Sequence, residues 1–533
     1  MAFSDIFISR HVTLRLAAAL SILCISSFSY GFDTSTYSTV QAMTAFEKKF
    51  GSYDQDSQEW SLDATHLAFL NSFPLITYAV GIPIAQTIGE RFGRRPVLVM
   101  TQLLCLTGIA VTYTASSYHH VLAGRMLVGG HVGMEAWLIP MFLGELAPAS
   151  IRGSTVILYV ISHLFGSFIC SCVTYKSSQL SGDISWRMPF KVAFAFPCFV
   201  VVFSWLVPES PRWLVRRGRL DDAVASLRYL FGSNAVYTPE KEIKDISASL
   251  EQAKTKGAWA DLLRGANRRR TSILFVSMLF HQLTGQSFVS QYGVLFVKSL
   301  HSLNPFTFSL ITVSLILVGP LLAMVLVDRI GRRNMWIYGG MLCVLTLMIM
   351  GALGCGHSTA TASNSEKSGI VAMSILFPFF YFLSFGSVGV LTAAEVPHVT
   401  LRDKSALIAW LASDICDFVV TYTLPYLLNA PYANLQSKVG FIYGSVGALG
   451  IVWGIFYLPE LKNRSLEEVD ELFEQHLPAW KFKSWKPSSD SVGARVTAFE
   501  QRVTKPSLTI AERDLENQSS DEVSNSSKQE DMT

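Results

Sequence analysis

The stretch Gly89-Glu90-Arg91-Phe92-Gly93-Arg94-Arg95 has a second copy in this chain, Val327-Asp328-Arg329-Ile330-Gly331-Arg332-Arg333. Each copy joins two apolar runs long enough to cross a bilayer. So much charge must leave the hydrocarbon, while the flanks are too apolar for water, so each turn ties two spanning helices together at one membrane face. The glycine permits a tight reversal, and the arginines belong to the kind of loop that faces the cytoplasm. Two such turns predict a duplicated, all-α, polytopic membrane design.

Composition points the same way. Half of the 533 residues are hydrophobic and only 16% are charged, with a mean hydropathy of +0.35, too little polar surface to cover a soluble globule of this length. A helix needs about 20 apolar residues to span a bilayer. Twelve such runs are present, at 14–33, 66–89, 96–115, 121–144, 154–175, 189–207, 271–297, 306–327, 334–354, 369–392, 405–428 and 437–458. The net charge of +3 is small and the basic residues sit in short loops, which excludes a nucleic-acid partner. Seven of the eight cysteines fall in expected spans and Cys355 at a span end, without paired ligand spacing, so packing is their expected role. No short apolar core with a small-residue cleavage site opens the chain, so the first helix is expected to stay as an anchor.

Arg91, Arg94 and Arg95, Arg329, Arg332 and Arg333, and Arg402 with Lys404 mark one side of the membrane as the inside. The expected organisation is a cytoplasmic N-terminus (1–13), a six-helix bundle (14–207), a cytoplasmic central loop (208–270), a second six-helix bundle (271–458) and a largely disordered cytoplasmic tail (459–533). Repeated signals support the halving: Glu145 and Glu395 lie 250 positions apart, Pro208-Glu209 and Pro459-Glu460 lie 251 apart, and Glu90 and Asp328 lie 238 apart. Two halves of one design, related by a pseudo-twofold axis normal to the membrane, are expected. The Asn-x-Ser triplets at Asn463, Asn517 and Asn525 fall on the cytoplasmic side, where glycosylation is not expected.

Several motifs now coincide in order: Gly31-Phe32-Asp33 ending the first span; the two Gly-Arg-Arg turns; Gly144-Glu145-Leu146-Ala147-Pro148 with Ile151-Arg152-Gly153; Pro208-Glu209-Ser210-Pro211-Arg212-Trp213; His281-Gln282-Leu283-Thr284-Gly285; Ala394-Glu395-Val396-Pro397 with Leu401-Arg402-Asp403-Lys404; and Pro459-Glu460-Leu461-Lys462. With them the chain resembles the sugar porter family of the major facilitator superfamily, in the style of fungal members, from about Gly31 to Phe473. The resemblance implies a multi-pass carrier, expected in the plasma membrane. It would move a sugar, polyol or related small polar solute by alternating access between its two bundles.

The charged turns suggest a gate. Glu90 and Asp328 can accept hydrogen bonds from arginines of neighbouring helix ends, while Glu145 and Glu395 can pair with the basic residues of the opposing turns. Glu90, Arg94, Arg95, Glu145, Arg152, Asp328, Arg332, Arg333, Glu395 and Arg402 are the expected gating set, latching the cytoplasmic side shut. The competing view makes them topological anchors only.

Asp33, expected at the end of the first span, and Arg125, in the fourth, are charges too costly to face lipid, so both should face the bundle interior and can face each other. In proton-coupled members of the family, an aspartate and an arginine at these positions resemble this pair, which implies proton symport through Asp33 and Arg125. A structural salt bridge in a passive carrier is the alternative. Asp414 and Asp417, three residues apart in the eleventh span, share one helical face expected to look into the cavity or toward His281.

The solute positions depart from the family's pattern. Val160, Ser287, Ile316, Val390 and Ser413 stand where polar or aromatic sugar contacts are usual, the Gln-Gln pair reads His281-Gln282, and of these contacts Gln282 alone survives. Gln282, Gln286 and His281, with Ser287, Ser290 and Gln291 further along, can rebuild hydrogen bonding to another polar solute. The expected substrate set is therefore His281, Gln282, Gln286, Ser287, Gln291, Ser413 and Asp414. A quinate-like acid or exported secondary metabolite remains open as cargo, and a nutrient sensor with a carrier fold ranks below both. No nucleotide-binding glycine loop, metal constellation or nucleophile elbow is present, so no enzyme, cofactor or metal is expected.

Overall fold

In the computed structural model the described residues are 13–54, 59–147, 152–232, 239, 242–244, 246–247, 257–355, 363–462, 464, 466–475 and 477–485. The tail beyond 485, with Asn517 and Asn525, lies outside them, as does Asn463. The chain divides into a unit ending at Ile455 and a second beginning at Phe456.

The first half holds α1 (Leu14–Val40), a short α2 (Thr44–Phe50), a hairpin of β1 (Ser52–Asp54) and β2 (Glu59–Ser61), then α3 (Ala64–Phe92), α4 (Arg94–Tyr113), α5 (Tyr118–Leu146), α6 (Arg152–Ser177), α7 (Ile184–Ala193) and α8 (Ala195–Phe203). Beyond it lie α9 (Pro211–Arg216) and α10 (Leu220–Phe231). The second half is α11 (Gly265–Leu283), α12 (Gln286–Leu300), α13 (Pro305–Ile330), α14 (Arg332–Leu353, with a π turn over Met335–Gly339), α15 (Asn364–Leu383), α16 (Phe385–Glu395), α17 (Arg402–Leu428) and α18 (Val439–Tyr457).

Local chemistry sets the ends. Thr13 caps α1 by accepting from Leu16 N, Asp63 caps α3, Asn304 caps α13 ahead of Pro305, and Ser363 with Glu366 forms a capping box on α15. Gly93 (φ +105°) and Gly331 (φ +96°) make the two charged reversals in the left-handed half of backbone space, as both copies of the motif require. Where α1 crosses α6 the backbones touch: a Cβ on Gly31 would lie 1.8 Å from the His163 carbonyl oxygen. Small residues allow such close approach where lipid supplies no hydrophobic drive.

Eleven helical segments among the described residues are long and apolar enough to cross a membrane. The expected seventh crossing, 271–297, is built from two shorter helices, α11 and α12, broken at Thr284 and Gly285 (φ +85°). The tenth is likewise interrupted at Ser384 between α15 and α16. Tyr381 Oη, on α15, donates to the His281 carbonyl at 2.7 Å, so one of the carbonyls freed at the break in the seventh crossing is satisfied by the tenth. Irregular backbone at membrane depth is tolerated where protein or a cavity, not lipid, surrounds it.

The halves pack reciprocally. The second crossing of the first half (α3) lies on the fifth of the second (α17), the fifth of the first (α6) on the second of the second (α13), and α1 on α12. This exchange of roles is what a pseudo-twofold relation requires. The first span is longer than expected: α1 continues to Val40, so Asp33 is enclosed within the helix at 3% exposure, not placed at its end. In the second unit, Arg464 donates to the Trp485 carbonyl at 2.6 Å beside the helix Leu466–Glu474.

Candidate functional site

At the charged turns the same fork is built twice. Arg94 donates from Nε and Nη2 to the two carboxylate oxygens of Glu145 at 3.0 and 3.1 Å, and from Nη1 to the Gly89 carbonyl at 2.8 Å. Arg332 donates from Nε and Nη2 to Glu395 at 3.1 and 2.8 Å, and from Nη1 to Asp328 at 3.1 Å. Two parallel bonds suit a planar guanidinium, and a glutamate closing the neighbouring helix completes each pair. Burial separates them: Arg94 and Glu145 are 1% and 9% exposed, Arg332 and Glu395 14% and 23%.

The copies differ at the acid that opens the turn. Asp328 pairs with Arg332 as expected, but Glu90 takes a side-chain bond from Gln86 (3.4 Å) and not from an arginine. The third arm of Arg94 is already spent on Gly89. Glu209 fills the turn instead, accepting from the backbone N–H groups of Arg94 (2.7 Å), Arg95 (3.2 Å) and Ser210 (2.9 Å). Burial pushes its carboxyl above the usual range against the pull of these bonds. Arg333 donates to the Ile455 carbonyl at 2.6 Å. Arg402 is half-buried, with Nε and Nη2 unpartnered among the described residues. Arg152 opens α6, and its side chain lies outside the description.

The Arg94–Glu145 and Arg332–Glu395 pairs each lie inside one half, not across the opposing halves as a latch on this face would require. Hydrogen bonds that do cross between the halves are found at the other face. Gln41 Nε2 donates to the Gln291 carbonyl at 2.5 Å, Ser171 and Ser309 meet at 3.2 Å, and Lys298 binds Glu47. Tyr292 donates to the carbonyls of Thr421 (2.9 Å) and Leu67 (3.4 Å). This conformation is therefore tied shut opposite the charged turns.

In the first half's interior, Asp33 accepts from the Cys105 thiol at 3.2 Å. Among the described residues it forms no ion pair with Arg125. Arg125 instead lies over the Tyr37 ring, its Cζ 4.0 Å from the centroid, and donates to the Leu70 carbonyl at 3.1 Å. One turn beyond Asp33, Tyr37 occupies the place where direct contact was expected. The sequence reading passed over two further groups on α5: His131 and Glu135 are both fully enclosed, with Nε2 and Oε2 3.2 Å apart. Their spacing of four residues inside an apolar helix was the available signal.

The solute residues divide. A cavity of about 210 Å³ between the halves is lined by Thr34, Ser38 and His163 from the first and by Gln286, Gln291 and Thr312 from the second, with Ile316 and Phe382 among its apolar walls. Four of its lining atoms, His163 Nδ1, Gln286 Oε1, Gln291 Oε1 and Thr312 Oγ1, are buried without a hydrogen-bond partner among the described residues. Such atoms are costly unless something else supplies their bonds. A larger cavity of about 700 Å³ beside Lys48 and His301 opens at the tied face, away from the buried acids, so size alone does not locate the site.

Other members of the expected set point elsewhere. Ser287 donates to Asp417, which also accepts from Thr421 at 3.2 Å. His281 packs against Tyr381 and Trp410, ring centroids 5.8 and 6.4 Å away, instead of meeting the acids. Gln282 is half-buried and does not line the 210 Å³ cavity. Ser413 is fully enclosed, its Oγ without a hydrogen-bond partner among the described residues, and Asp414 is half-buried one turn before Asp417.

Reciprocal helical repeats around a cavity lined by both define a membrane carrier of the major facilitator class. Residues 19–473 match the family described as "Sugar (and other) transporter", and the chain belongs to this family of transporters, not enzymes. It is 28% identical over 486 residues to the low-affinity glucose transporter HXT3 of Saccharomyces cerevisiae, covering 88% of this chain and 85% of that one. To the general alpha-glucoside permease of the same yeast it is 29% identical over 474 residues, covering 85% and 74%. The inward-open xylose transporter XylE from E. coli superimposes with a TM-score of 0.69 at 21% identity, over 86% of this chain and 99% of that one, and so shares the fold.

Proposed function

We propose that this protein carries a sugar or a related small polyol by alternating access, coupled to protons. The observation that carries this reading is the 210 Å³ cavity in which both halves leave buried polar atoms unpartnered. A hydroxylated solute supplies donors and acceptors to these atoms at once, and each hydroxyl taken from water unpaired would cost about 1–3 kcal/mol. Similarity to a glucose transporter, and in fold to a proton:xylose symporter bound to 6-bromo-6-deoxy-D-glucose, supports the solute class. Asp33 is the proton site of this reading, since an enclosed carboxyl without an arginine against it can take up a proton. Arg125 anchors the same region through Tyr37 and Leu70. The two Gly-Arg-Arg forks keep each half rigid while the halves rock, with the charged turns and both termini on the cytoplasmic side of the plasma membrane.

Uptake of labelled D-glucose, D-xylose and maltose by yeast lacking its own hexose carriers, with and without a protonophore, tests the reading. Accumulation abolished by the protonophore is expected. Background uptake of all three sugars would overturn it. A second reading, a less hydroxylated or acidic cargo, is favoured by Ile316, Phe308 and Phe382 in the cavity wall. Faster loss of an internal metabolite from cells expressing the protein would support that one.

A further inference from the structure

His131 and Glu135 on α5 lie in the interior of the first half with none of their surface exposed, and the proposed transport cycle does not use them. Their hydrogen bonds count protons. His131 Nδ1 is 3.1 Å from the Thr101 carbonyl oxygen, which can only accept, and 3.0 Å from Thr101 Oγ1, whose own hydrogen goes to the His131 carbonyl at 3.1 Å, so Nδ1 carries a hydrogen. A neutral imidazole protonated at Nδ1 has a bare lone pair at Nε2, and Nε2 faces Glu135 Oε2 at 3.2 Å. A carboxylate there would set lone pair against lone pair. Nε2 has no hydrogen-bond partner among the described residues, and its approach to Oε2 is attractive only with a proton on one of the two atoms.

The surroundings say on which atom it rests. Facing the pair are Asp33, Tyr30 and Ser26 on α1, Cys105, Gln102 and Thr101 on α4, and Tyr159 on α6. None of these is a cation partner, and the nearest arginine on the same helix, Arg125, is turned to Tyr37 and Leu70. An imidazolium–carboxylate pair would hold two enclosed charges with little else to satisfy them, whereas the neutral pair holds none. Gln102 Nε2 donates to Ser26 Oγ at 2.7 Å and reaches Glu135 Oε2 at 3.4 Å, which leaves Glu135 Oε1 unpartnered.

We propose that Glu135 is a second proton-carrying group of this transporter, holding one proton against His131 Nε2 and exchanging it with Asp33. The atoms that Asp33, Cys105 and His131 offer lie within 4.8 Å of one another, so the aspartate, thiol, imidazole and glutamate form one enclosed cluster. Exchange balances: Glu135 gives its proton to His131 Nε2 as the Nδ1 hydrogen passes on to Asp33, so that Asp33 becomes a carboxylic acid, Glu135 a carboxylate facing an Nε2–H, and the set keeps one negative charge. The exchange role rests on the proton-coupled reading above, but the occupied proton does not.

Infrared difference spectroscopy on the full-length protein in lipid reads that proton directly, as the C=O stretch of an enclosed carboxylic acid that shifts in D2O. At neutral pH the band is expected in the wild type, absent in Glu135→Gln, retained in Asp33→Asn, and displaced in His131→Asn. No band, or one untouched by Glu135→Gln, overturns the proposal, as does a stoichiometric transition-metal ion copurifying with the protein. The glutamine can donate to Nε2 in place of the acid, and a matched thermal midpoint confirms folding. In proteoliposomes loaded with D-glucose, D-xylose or maltose, Glu135→Gln is expected to lower proton-driven accumulation about tenfold while counterflow stays within about threefold. Equal loss of both would remove the exchange role. If the wild type moves none of these sugars, the sugar reading falls while the infrared band still decides this one.

Discussion

Arg125 stacks on Tyr37, 4.0 Å from Cζ to ring centroid, one helical turn past Asp33 on the facing helix. The arginine is thereby held by a ring face and the Leu70 carbonyl, leaving the aspartate to the Cys105 thiol. An acid so placed can gain and lose a proton without first breaking an ion pair.

Arg125→Lys tests what the stacking does. A lysine keeps the charge but loses the planar face and the directed Nε–H, at a cost of about 1–2 kcal/mol. Transport is expected to fall about tenfold, with Tyr37→Leu falling similarly and the double variant adding little further loss. Additive effects in that cycle would remove the coupling between the two side chains.

Asp33→Asn is expected to abolish proton-driven accumulation of the transported sugar while exchange across the membrane persists. Binding and rocking survive the isosteric change, but the asparagine cannot carry a proton. Side-by-side uptake and counterflow measurements decide it. Concentrative uptake at the wild-type level in this variant would take Asp33 out of the coupling.

The forks at the two turns should differ in weight. Removing one partner of an enclosed pair strands a charge, at a cost of about 3–5 kcal/mol, and an exposed pair costs less. Glu145→Gln is therefore expected to lower the thermal midpoint in detergent more than Glu395→Gln, since Arg94 is the more enclosed arginine. The opposite order would sink the argument from burial.

Gly93→Ala combines two penalties. The position has φ +105°, and a Cβ would lie 2.3 Å from the Glu209 carboxylate. Strain of this kind costs about 1–3 kcal/mol. Lower expression and a reduced melting midpoint are expected, and Glu209→Gly in the same chain should recover only the steric part. An unchanged midpoint in Gly93→Ala would show that the turn can relax.

In the central cavity, Gln286→Ala is expected to raise KM for the carried solute about tenfold, a loss of about 1–2 kcal/mol. Gln282→Ala, at a residue that does not line this cavity, should change KM less. A larger effect at Gln282 would move the solute site toward His281.

The apolar runs were legible because hydropathy is local: a residue meets lipid or leaves it whatever its distant neighbours do. The Gly-Arg-Arg turns and the two glutamates were legible as repeated motifs, but that each glutamate would pair with the arginine of its own half, and not of the opposing turn, was not. Glu90 was misread, since its place was taken by Glu209, more than a hundred residues away in the chain. Gln286 and Gln291, expected on polar spacing alone, line the cavity between the halves, whereas Gln282 and His281 share that spacing and do not line it. His163 and Thr312 gave no signal, because a single polar residue in an apolar helix is as often a packing residue as a ligand.

By itself, then, the sequence determined a duplicated set of membrane crossings, the reversals that join them and the class of carrier they make, since bilayer thickness and the cost of charge in hydrocarbon act on each segment separately. Tertiary structure alone decided which polar atoms share a cavity, why Arg125 leaves Asp33 free and where His131 meets Glu135. These depend on the rotation of each helix about its axis and on partners far away in the chain, and local hydropathy carries no record of either.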